Sequence, residues 1–265
     1  MKKILVVLFA LMLALSMVAC GNDGVNDDTT ADTSVDTVVD TAADTAADTE
    51  ADTAVDTEAD AVKVMTYAEF AAAELETPVV IETYVQAKQS WWSDKATIYT
   101  QDQDGGYFIY EMACSEEDFA KLVPGTKIRV TGYKTAWAGE VEIASGATFE
   151  IIEGADTYVA EPVDLTAVIA TEDIINYQNQ LASFKGMTVE KIDFKNGEPG
   201  DDIYVTLGLD GASYSFCVER YLTAPDTEVY TTVSALEIGT VVDVEGFVYW
   251  YEGVNPHITA IKVAE

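Results

Sequence analysis

The chain has 265 residues, with 47 acidic against 14 basic side chains, a net charge of −33 and a single histidine. A surface this acidic repels phosphate, so the composition disfavours nucleic acid as a partner. One histidine provides no set of imidazoles for a metal centre, and a catalytic triad would have to use that residue. The sequence therefore predicts no metal site, no cofactor and no enzymatic activity, and it favours a binding function.

Residues 1–20 have the pattern of an export signal. Two lysines precede an uncharged apolar run from Ile4 to Ala19, which is short for a membrane-spanning helix and typical of a signal peptide. The run ends in MVAC followed by a glycine, which resembles the lipobox of bacterial lipoproteins. The resemblance implies cleavage before Cys20, lipid attachment to its thiol, and anchoring at the extracytoplasmic face of the cell membrane. The alternative is an ordinary signal peptide with a chance cysteine.

Residues 21–62 are predicted to form a disordered linker. They contain 11 Asp, 2 Glu and no basic residue, and from Ala31 to Glu58 an x-Asp-Thr-x unit repeats seven times. In a helix these aspartates would stack like charges at i,i+4, which is destabilising. The segment also lacks the aromatic and large apolar groups that offset the entropy of ordering. Cation binding by the aspartates is an alternative, but it requires oxygen atoms that converge.

The rest of the chain contains two related segments, which we place at 63–154 and 162–265. The motif Gly-Thr-x-x-x-Val-x-Gly occurs in both, beginning at Gly125 and at Gly239. The two occurrences differ by a constant offset of 114 residues, and the same offset pairs Trp137 with Tyr251. We interpret this as a tandem duplication of one module.

Each module has the same predicted order of elements, namely three strands, a short helix and two strands. The first module also begins with a short Ala-rich helix, and its Asp104-Gly105 pair is typical of a hairpin turn. The predicted elements are a helix at 67–75, strands at 79–88, 96–100 and 107–112, a helix at 115–122 and strands at 127–133 and 139–151, then strands at 188–194, 203–207 and 213–218, a helical link at 233–236 and strands at 240–249 and 258–263.

This order is that of the OB-fold, a small five-stranded Greek-key barrel. The glycine-threonine motif also resembles the fourth strand of OB modules found in secreted bacterial proteins and lipoproteins. The sequence therefore predicts an all-β protein with short helices, built as two tandem five-stranded OB-fold-like barrels after a disordered acidic tether. The resemblance concerns the fold, since residues that build the barrel carry it.

Aromatic residues are concentrated in the predicted ligand loops. OB barrels bind ligands on the face of strands two and three, between the loop joining strands one and two and the loop joining strands four and five. Rings in these loops could stack on a ligand, or they could fill the barrel mouths. We expect the first three rings below to converge at one end of the first barrel and the last three to form a smaller counterpart in the second. The candidate ligand-binding residues are Trp91, Trp92, Trp137, Tyr249, Trp250 and Tyr251.

Other residues that could bind a metal, act in catalysis or form a disulfide have simpler interpretations. Thr100 to Glu111 nearly fits a calcium-binding loop, but its flanks are strand-like, which favours a plain hairpin turn. His257 has no partner motif and is predicted to be a strand residue near a loop. Cys114 and Cys217 end the third strands of different modules, and we expect two free, buried thiols.

Together these patterns predict a lipid-anchored, extracytoplasmic binding protein whose loop aromatics bind glycan. A protein-interaction or assembly module of the cell envelope is the main alternative. An accessory module to a secreted nuclease is a further one.

The lipobox can be tested by the variant Cys20→Ala. Without the thiol no lipid can be attached, so the variant should lose detergent-phase partitioning while the unmodified chain retains it. Phase separation of membranes from expressing cells is the measurement. Retention of the processed variant in the detergent phase would contradict lipidation at Cys20.

Overall fold

The computed structural model describes residues 63–264, so the predicted signal peptide, Cys20 and the acidic linker lie outside the described residues. Within this part of the chain no helix is both long and apolar enough to cross a bilayer. The elements in chain order are α1 (Tyr67–Ala72), β1 (Pro78–Lys88), β2 (Lys95–Gln101), β3 (Gly106–Ala113), α2 (Glu116–Lys121), β4 (Lys127–Trp137), β5 (Glu140–Ile143), β6 (Thr148–Ile151), β7 (Val163–Asp164), a 3-10 helix (Glu172–Tyr177), β8 (Leu181–Phe194), β9 (Ile203–Leu209), β10 (Ala212–Val218), α3 (Glu228–Ser234), β11 (Val241–Phe247) and β12 (His257–Val263).

The strands form two closed barrels with the same circuit. In the first barrel the order is β1-β2-β3-β5-β4, and β4 pairs back to β1. In the second the order is β8-β9-β10-β12-β11, and β11 pairs back to β8. Strands three and five are parallel in both barrels, and the other pairs of each circuit are antiparallel. This is the Greek-key circuit of the OB-fold, so the predicted fold class of two tandem OB-fold-like barrels is confirmed.

The repeated glycine occupies the same position in both barrels. The Gly125 amide donates to the carbonyl of Val85 at 2.8 Å, and the Gly239 amide donates to the carbonyl of Val189 at 2.7 Å. Both glycines have φ close to +90°, in the region that L side chains rarely adopt. The motif therefore marks the same tight entry into the fourth strand of each barrel.

Several strands differ from the predicted bounds, and two of the differences change how the chain is arranged. β8 was predicted to begin at Thr188 and instead begins at Leu181, because the chain continues through an irregular step at Gly186, whose amide donates to the Asp243 carboxylate at 2.8 Å. The last strand of the first barrel is divided into β5 and β6 by a turn in which the Ala147 amide donates to Ala144.

The two barrels meet through an apolar cluster separate from their individual cores. Tyr99, Phe108 and Phe247 are buried at its centre. The Tyr99 and Phe247 rings stack with centroids 4.3 Å apart and planes 7° apart. The Tyr99 hydroxyl also lies 3.0 Å from Nδ1 of His257. Stacking and a buried hydrogen bond thus join β2 of the first barrel to β11 and β12 of the second.

The first barrel contributes the outward side of β2, β3 and β5 to this contact. We call this surface of the first barrel the docking face. Gly106 on this face lies so close to Asn179 that a Cβ atom would be 2.4 Å from the Asn179 backbone. The Gln101 side chain accepts a hydrogen bond from the Leu181 amide at 2.9 Å. The docking face includes the surface of strands two and three on which OB barrels bind ligands. In the first barrel that surface is therefore largely covered by the second barrel.

We predict that Phe247→Ala weakens the whole structure rather than one loop. Removing a buried aromatic ring should cost about 3–5 kcal/mol of unfolding free energy. Because Phe247 packs between the barrels, we expect the unmodified protein to unfold in one transition and the variant to unfold in two. Urea unfolding followed by circular dichroism is the measurement.

Tyr133→Ala is the matched control, since Tyr133 is an exposed aromatic residue on β4 outside this cluster. It should change the unfolding free energy by less than about 0.5 kcal/mol. Equal effects of the two substitutions would contradict the proposed coupling.

Candidate ligand-binding cleft between the barrels

An open cleft runs along the margin of the docking face, where the two barrels diverge. It contains two neighbouring cavities, and both are lined by Gln89 and Tyr110 of the first barrel. Residues of the second barrel complete each cavity. The cleft therefore exists only when both barrels are present.

The larger cavity, which we call the tryptophan cavity, has a volume of about 520 Å³. The loop between β1 and β2 supplies two of its rings, and Tyr221 closes it from the second barrel. That loop is attached to the second barrel by a hydrogen bond from the Ser90 amide to the Tyr221 carbonyl at 2.7 Å. Its lining consists of Gln89, Ser90, Trp91, Trp92, Thr97, Tyr110, Glu111 and Tyr221.

The smaller cavity, which we call the acidic cavity, has a volume of about 300 Å³. It combines aromatic walls with two carboxyl groups, Glu142 on β5 and Glu219 beyond β10. Burial raises the pKa of Glu142 to about 7 and that of Glu219 to about 6. Its lining consists of Gln89, Phe108, Tyr110, Trp137, Glu142, Glu219, Tyr249 and His257.

The predicted loop tryptophans of the first barrel differ in how they are held. Trp91 is half-buried, and its indole N–H donates to the Cys114 carbonyl at 2.9 Å. Trp92 is 57% exposed, with the Lys95 ammonium 5.3 Å from its ring centroid. Trp91 therefore helps to hold the loop on the barrel, whereas the ring of Trp92 is exposed to solvent.

Trp137 lines the acidic cavity rather than the tryptophan cavity, so the three tryptophans line adjoining parts of one cleft. Its side chain is 56% exposed. Its ring lies 5.2 Å from the ring of Tyr251, which is also exposed. The two rings form a small aromatic platform contributed by both barrels.

The second-barrel aromatics do not form the separate counterpart that the sequence predicted. Tyr249 lines the acidic cavity beside Phe108, and Tyr251 contacts Trp137. Trp250 points the other way and packs on the core of the second barrel. The reason is that the hairpin after β11 rests on the hairpin between β4 and β5. The Glu252 amide donates to the Ala138 carbonyl there at 2.7 Å.

The other residues singled out in the sequence have structural surroundings. His257 begins β12, as predicted, and burial lowers its pKa to about 3, so the imidazole is neutral. Cys114 and Cys217 are buried and free of disulfides within the described residues. The Asp102 carboxylate accepts the amides of Asp104 and Gly105, both at 2.8 Å, which closes the hairpin between β2 and β3.

The cleft residues that sequence reasoning missed include Tyr110, Glu142, Glu219 and Tyr221. Tyr110 ends an unbroken apolar run that starts at Tyr107, and such runs indicate strands buried on both faces. That run was the one available signal that a second surface covers β3. Glu142 lies between Val141 and Ile143 and therefore resembles an ordinary solvent-facing strand position, and Glu219 follows β10 beside Arg220 in a polar segment.

A third carboxyl group, Glu140, is enclosed where the barrels touch. Its Oε2 accepts hydrogen bonds from the Trp250 amide at 2.8 Å and from the Gln178 side chain at 3.2 Å. Its Oε1 and the Oδ1 of Asn179 are both buried without a partner among the described residues. Burial raises the pKa of Glu140 to about 8, so the carboxyl is protonated at neutral pH.

No protein-family model and no curated protein matches this chain. Among solved structures, the HINb domain of p204 matches with 13% identity and a TM-score of 0.33, over 72% of this chain and 98% of that domain. The HINa domain of Ifi202 in complex with 20-bp double-stranded DNA matches with 12% identity and a TM-score of 0.35, over 71% and 96%. The tetrameric HIN2 domain of p202 has 12% identity and a TM-score of 0.30, over 72% and 94%. Likenesses this low carry no ligand over to this chain.

The comparison nevertheless corrects one expectation. Matched structures include complexes with double-stranded DNA, which contradicts the prediction that nucleic acid is disfavoured as a partner. That prediction used the net charge of the chain and of its two modules, whereas binding depends on the charge at the contact surface itself. The exclusion of nucleic acid is therefore withdrawn.

We predict that Glu140→Gln removes a pH dependence from the stability of the protein. The folded pKa of Glu140 is about 8, and the pKa of an unfolded glutamate is about 4.3. Its stabilising contribution is therefore fully present below the unfolded value and is lost as pH rises through 8. Glutamine keeps an acceptor for the Trp250 amide but cannot ionise.

The measurement is the unfolding free energy in urea at intervals from pH 5 to pH 9. The unmodified protein should lose stability relative to Glu140→Gln as pH rises. Because the other acidic groups titrate in both proteins, the difference between them isolates Glu140. A constant difference across this range would contradict a buried, protonated Glu140.

Proposed function

We propose that the chain is a lipid-anchored, extracytoplasmic binding protein that takes glycan into the cleft between its barrels. The observation that carries the proposal is the platform of Trp137 and Tyr251, which stands exposed at the mouth of a cavity with polar groups. Exposed aromatic rings mark contact surfaces. The apolar face of a sugar ring can lie on such a platform, while its hydroxyl groups meet acceptors in the cleft.

The polar groups of the cleft suit this ligand. Gln89 lies between the two cavities, and its side chain makes no hydrogen bond within the described residues. The tryptophan cavity also contains Glu111, which is paired with Lys95 at 2.6 Å. A mostly aromatic surface with a few polar groups that fix orientation is typical of small-ligand sites.

Membrane anchoring is the second part of the proposal and rests on the lipobox that ends at Cys20. A lipid on this cysteine, followed by an acidic linker, would hold the barrels away from the membrane surface, where they can reach a glycan. We propose no enzymatic activity, since the cleft residues are explained by binding alone.

Protein interaction is the alternative, in which the same platform contacts an envelope protein. A glycan array probed with the fragment 63–265, which contains both complete barrels, separates the possibilities. Binding to a defined class of saccharide supports the proposal. Duplex DNA is titrated in parallel, and binding of DNA without any saccharide would contradict it.

We predict that Trp137→Ala lowers glycan affinity by about 1–3 kcal/mol, by analogy with ring stacking on bases. Because the side chain is exposed, the unfolding free energy should change little. Trp91→Ala should instead reduce stability, since Trp91 is half-buried and hydrogen-bonded. Affinity and urea unfolding are measured on both variants.

Tyr133→Ala again serves as the control, because Tyr133 is an equally exposed aromatic residue on the same strand outside both cavities. It should leave affinity and stability unchanged. A loss of stability without any loss of affinity in Trp137→Ala would show that the ring is only a packing residue.

A further inference from the structure

The acidic cavity contains a buried carboxyl group whose charge the hydroxyl groups of a neutral sugar would not neutralise. Glu142 is 8% exposed, and its carboxyl group makes no hydrogen bond or ion pair with any described residue. The neighbouring Glu219 differs, because its carboxylate accepts the amides of Tyr221 at 3.1 Å and of Leu222 at 2.9 Å. Glu142 is therefore a buried acceptor that lines a cavity and has no partner in the fold.

The walls of the same cavity favour positive charge. Four aromatic residues line it, and the faces of such rings attract cations. No lysine or arginine is among its lining residues, so no basic side chain within the cavity pairs with Glu142. The aromatic lining consists of Phe108, Tyr110, Trp137 and Tyr249.

We infer that the acidic cavity binds an ammonium group, so that the glycan of the proposed function is an amino sugar with a free amine. The inference rests on that proposed function. The sugar ring would lie on the platform of Trp137 and Tyr251, and its ammonium group would donate charge-assisted hydrogen bonds to Glu142. An N-acetylated sugar lacks this charge and would leave Glu142 without a counter-charge.

Ionisation of the carboxyl groups in the acidic cavity makes the binding of an ammonium group depend on pH. Burial raises the pKa of Glu142 to about 7 and that of Glu219 to about 6, so both lose protons between pH 5 and pH 8. A bound cation favours the ionised form, and affinity should therefore rise over this interval. The other titratable groups around Glu142 are Tyr110 on β3, Glu140 on β5, Tyr249 beyond β11 and His257 on β12. Asp202 and Lys195 also act on Glu219, and the hydrogen bond to Asp202 raises the pKa of Lys195, which therefore stays charged.

These neighbours do not reverse the expected direction. Burial raises the pKa values of Tyr110 and Tyr249 above the ordinary tyrosine value and lowers that of His257 to about 3, so all three stay neutral. Glu140, with a pKa of about 8, remains mostly protonated over the interval. Glu142 and Glu219 thus supply the charge that changes.

The test compares methyl glucosaminide with methyl N-acetylglucosaminide by calorimetric titration into the full chain in detergent. The free amine should bind at least about tenfold more tightly. Glu142→Gln should remove most of this preference, since only Glu219 then attracts the ammonium group, while leaving the weaker affinity for the acetylated sugar unchanged. Glu237→Gln is the matched control, since Glu237 is exposed and outside the cavity, and it should retain the preference.

Tetramethylammonium, whose charge does not depend on pH, is the second probe. Its affinity should rise from pH 5 to pH 8 in the unmodified chain and rise less in Glu142→Gln, in which only Glu219 still titrates in the cavity. The acidic linker is identical in both proteins, so its contribution cancels. Thermal unfolding of Glu142→Gln at pH 7 should show no loss of stability, because glutamine replaces a buried carboxyl with a neutral side chain of the same shape.

The outcomes separate the two proposals. Equal binding of both sugars, unaffected by Glu142→Gln, would overturn the inference and leave the glycan function standing. Binding of tetramethylammonium through Glu142 without binding of either sugar would support the ammonium site and contradict the glycan function. Binding of neither sugar and no Glu142-dependent binding of tetramethylammonium would overturn both.

Discussion

The structure depends on one contact, the burial of Tyr99 between the barrels. Its ring stacks on Phe247, and its hydroxyl lies within hydrogen-bond distance of His257. Because Tyr99 lies on β2, this contact covers the surface that an isolated OB barrel would offer to a ligand. The covered surface becomes an interface, and the accessible site moves to the margin where the barrels diverge. Burial of Glu140 and the close approach of Gly106 to Asn179 follow from the same docking.

The cleft is consequently a property of the pair of barrels. The first barrel supplies Trp137 and Glu142, and the second supplies Glu219, Tyr249 and Tyr251. The same burial that excludes water from this region raises the pKa of both glutamates. Packing between the barrels and the chemistry of the cleft thus have one physical origin.

The architecture of each barrel could be predicted from the sequence, because it depends on local signals. Gly125 and Gly239 mark the same backbone turn, and the Asp104-Gly105 pair marks a hairpin. The relation between the barrels depends on contacts far apart in sequence, which no local pattern encodes. Tyr99 and Glu142 lie on the outward side of their strands, but that side faces the other barrel rather than bulk water. For the same reason Tyr249 was assigned to the wrong neighbours.

The central claim is that ligand binds between the barrels, and a crystal structure of the chain with a bound oligosaccharide tests it most directly. The account predicts a sugar ring against Trp137 and Tyr251, with a polar group directed toward Glu142. The strongest rival location is the outward face of β9 and β10, where Tyr204 is exposed and the corresponding strands of the second barrel remain open. Density on that face, with the cleft empty, would contradict the account.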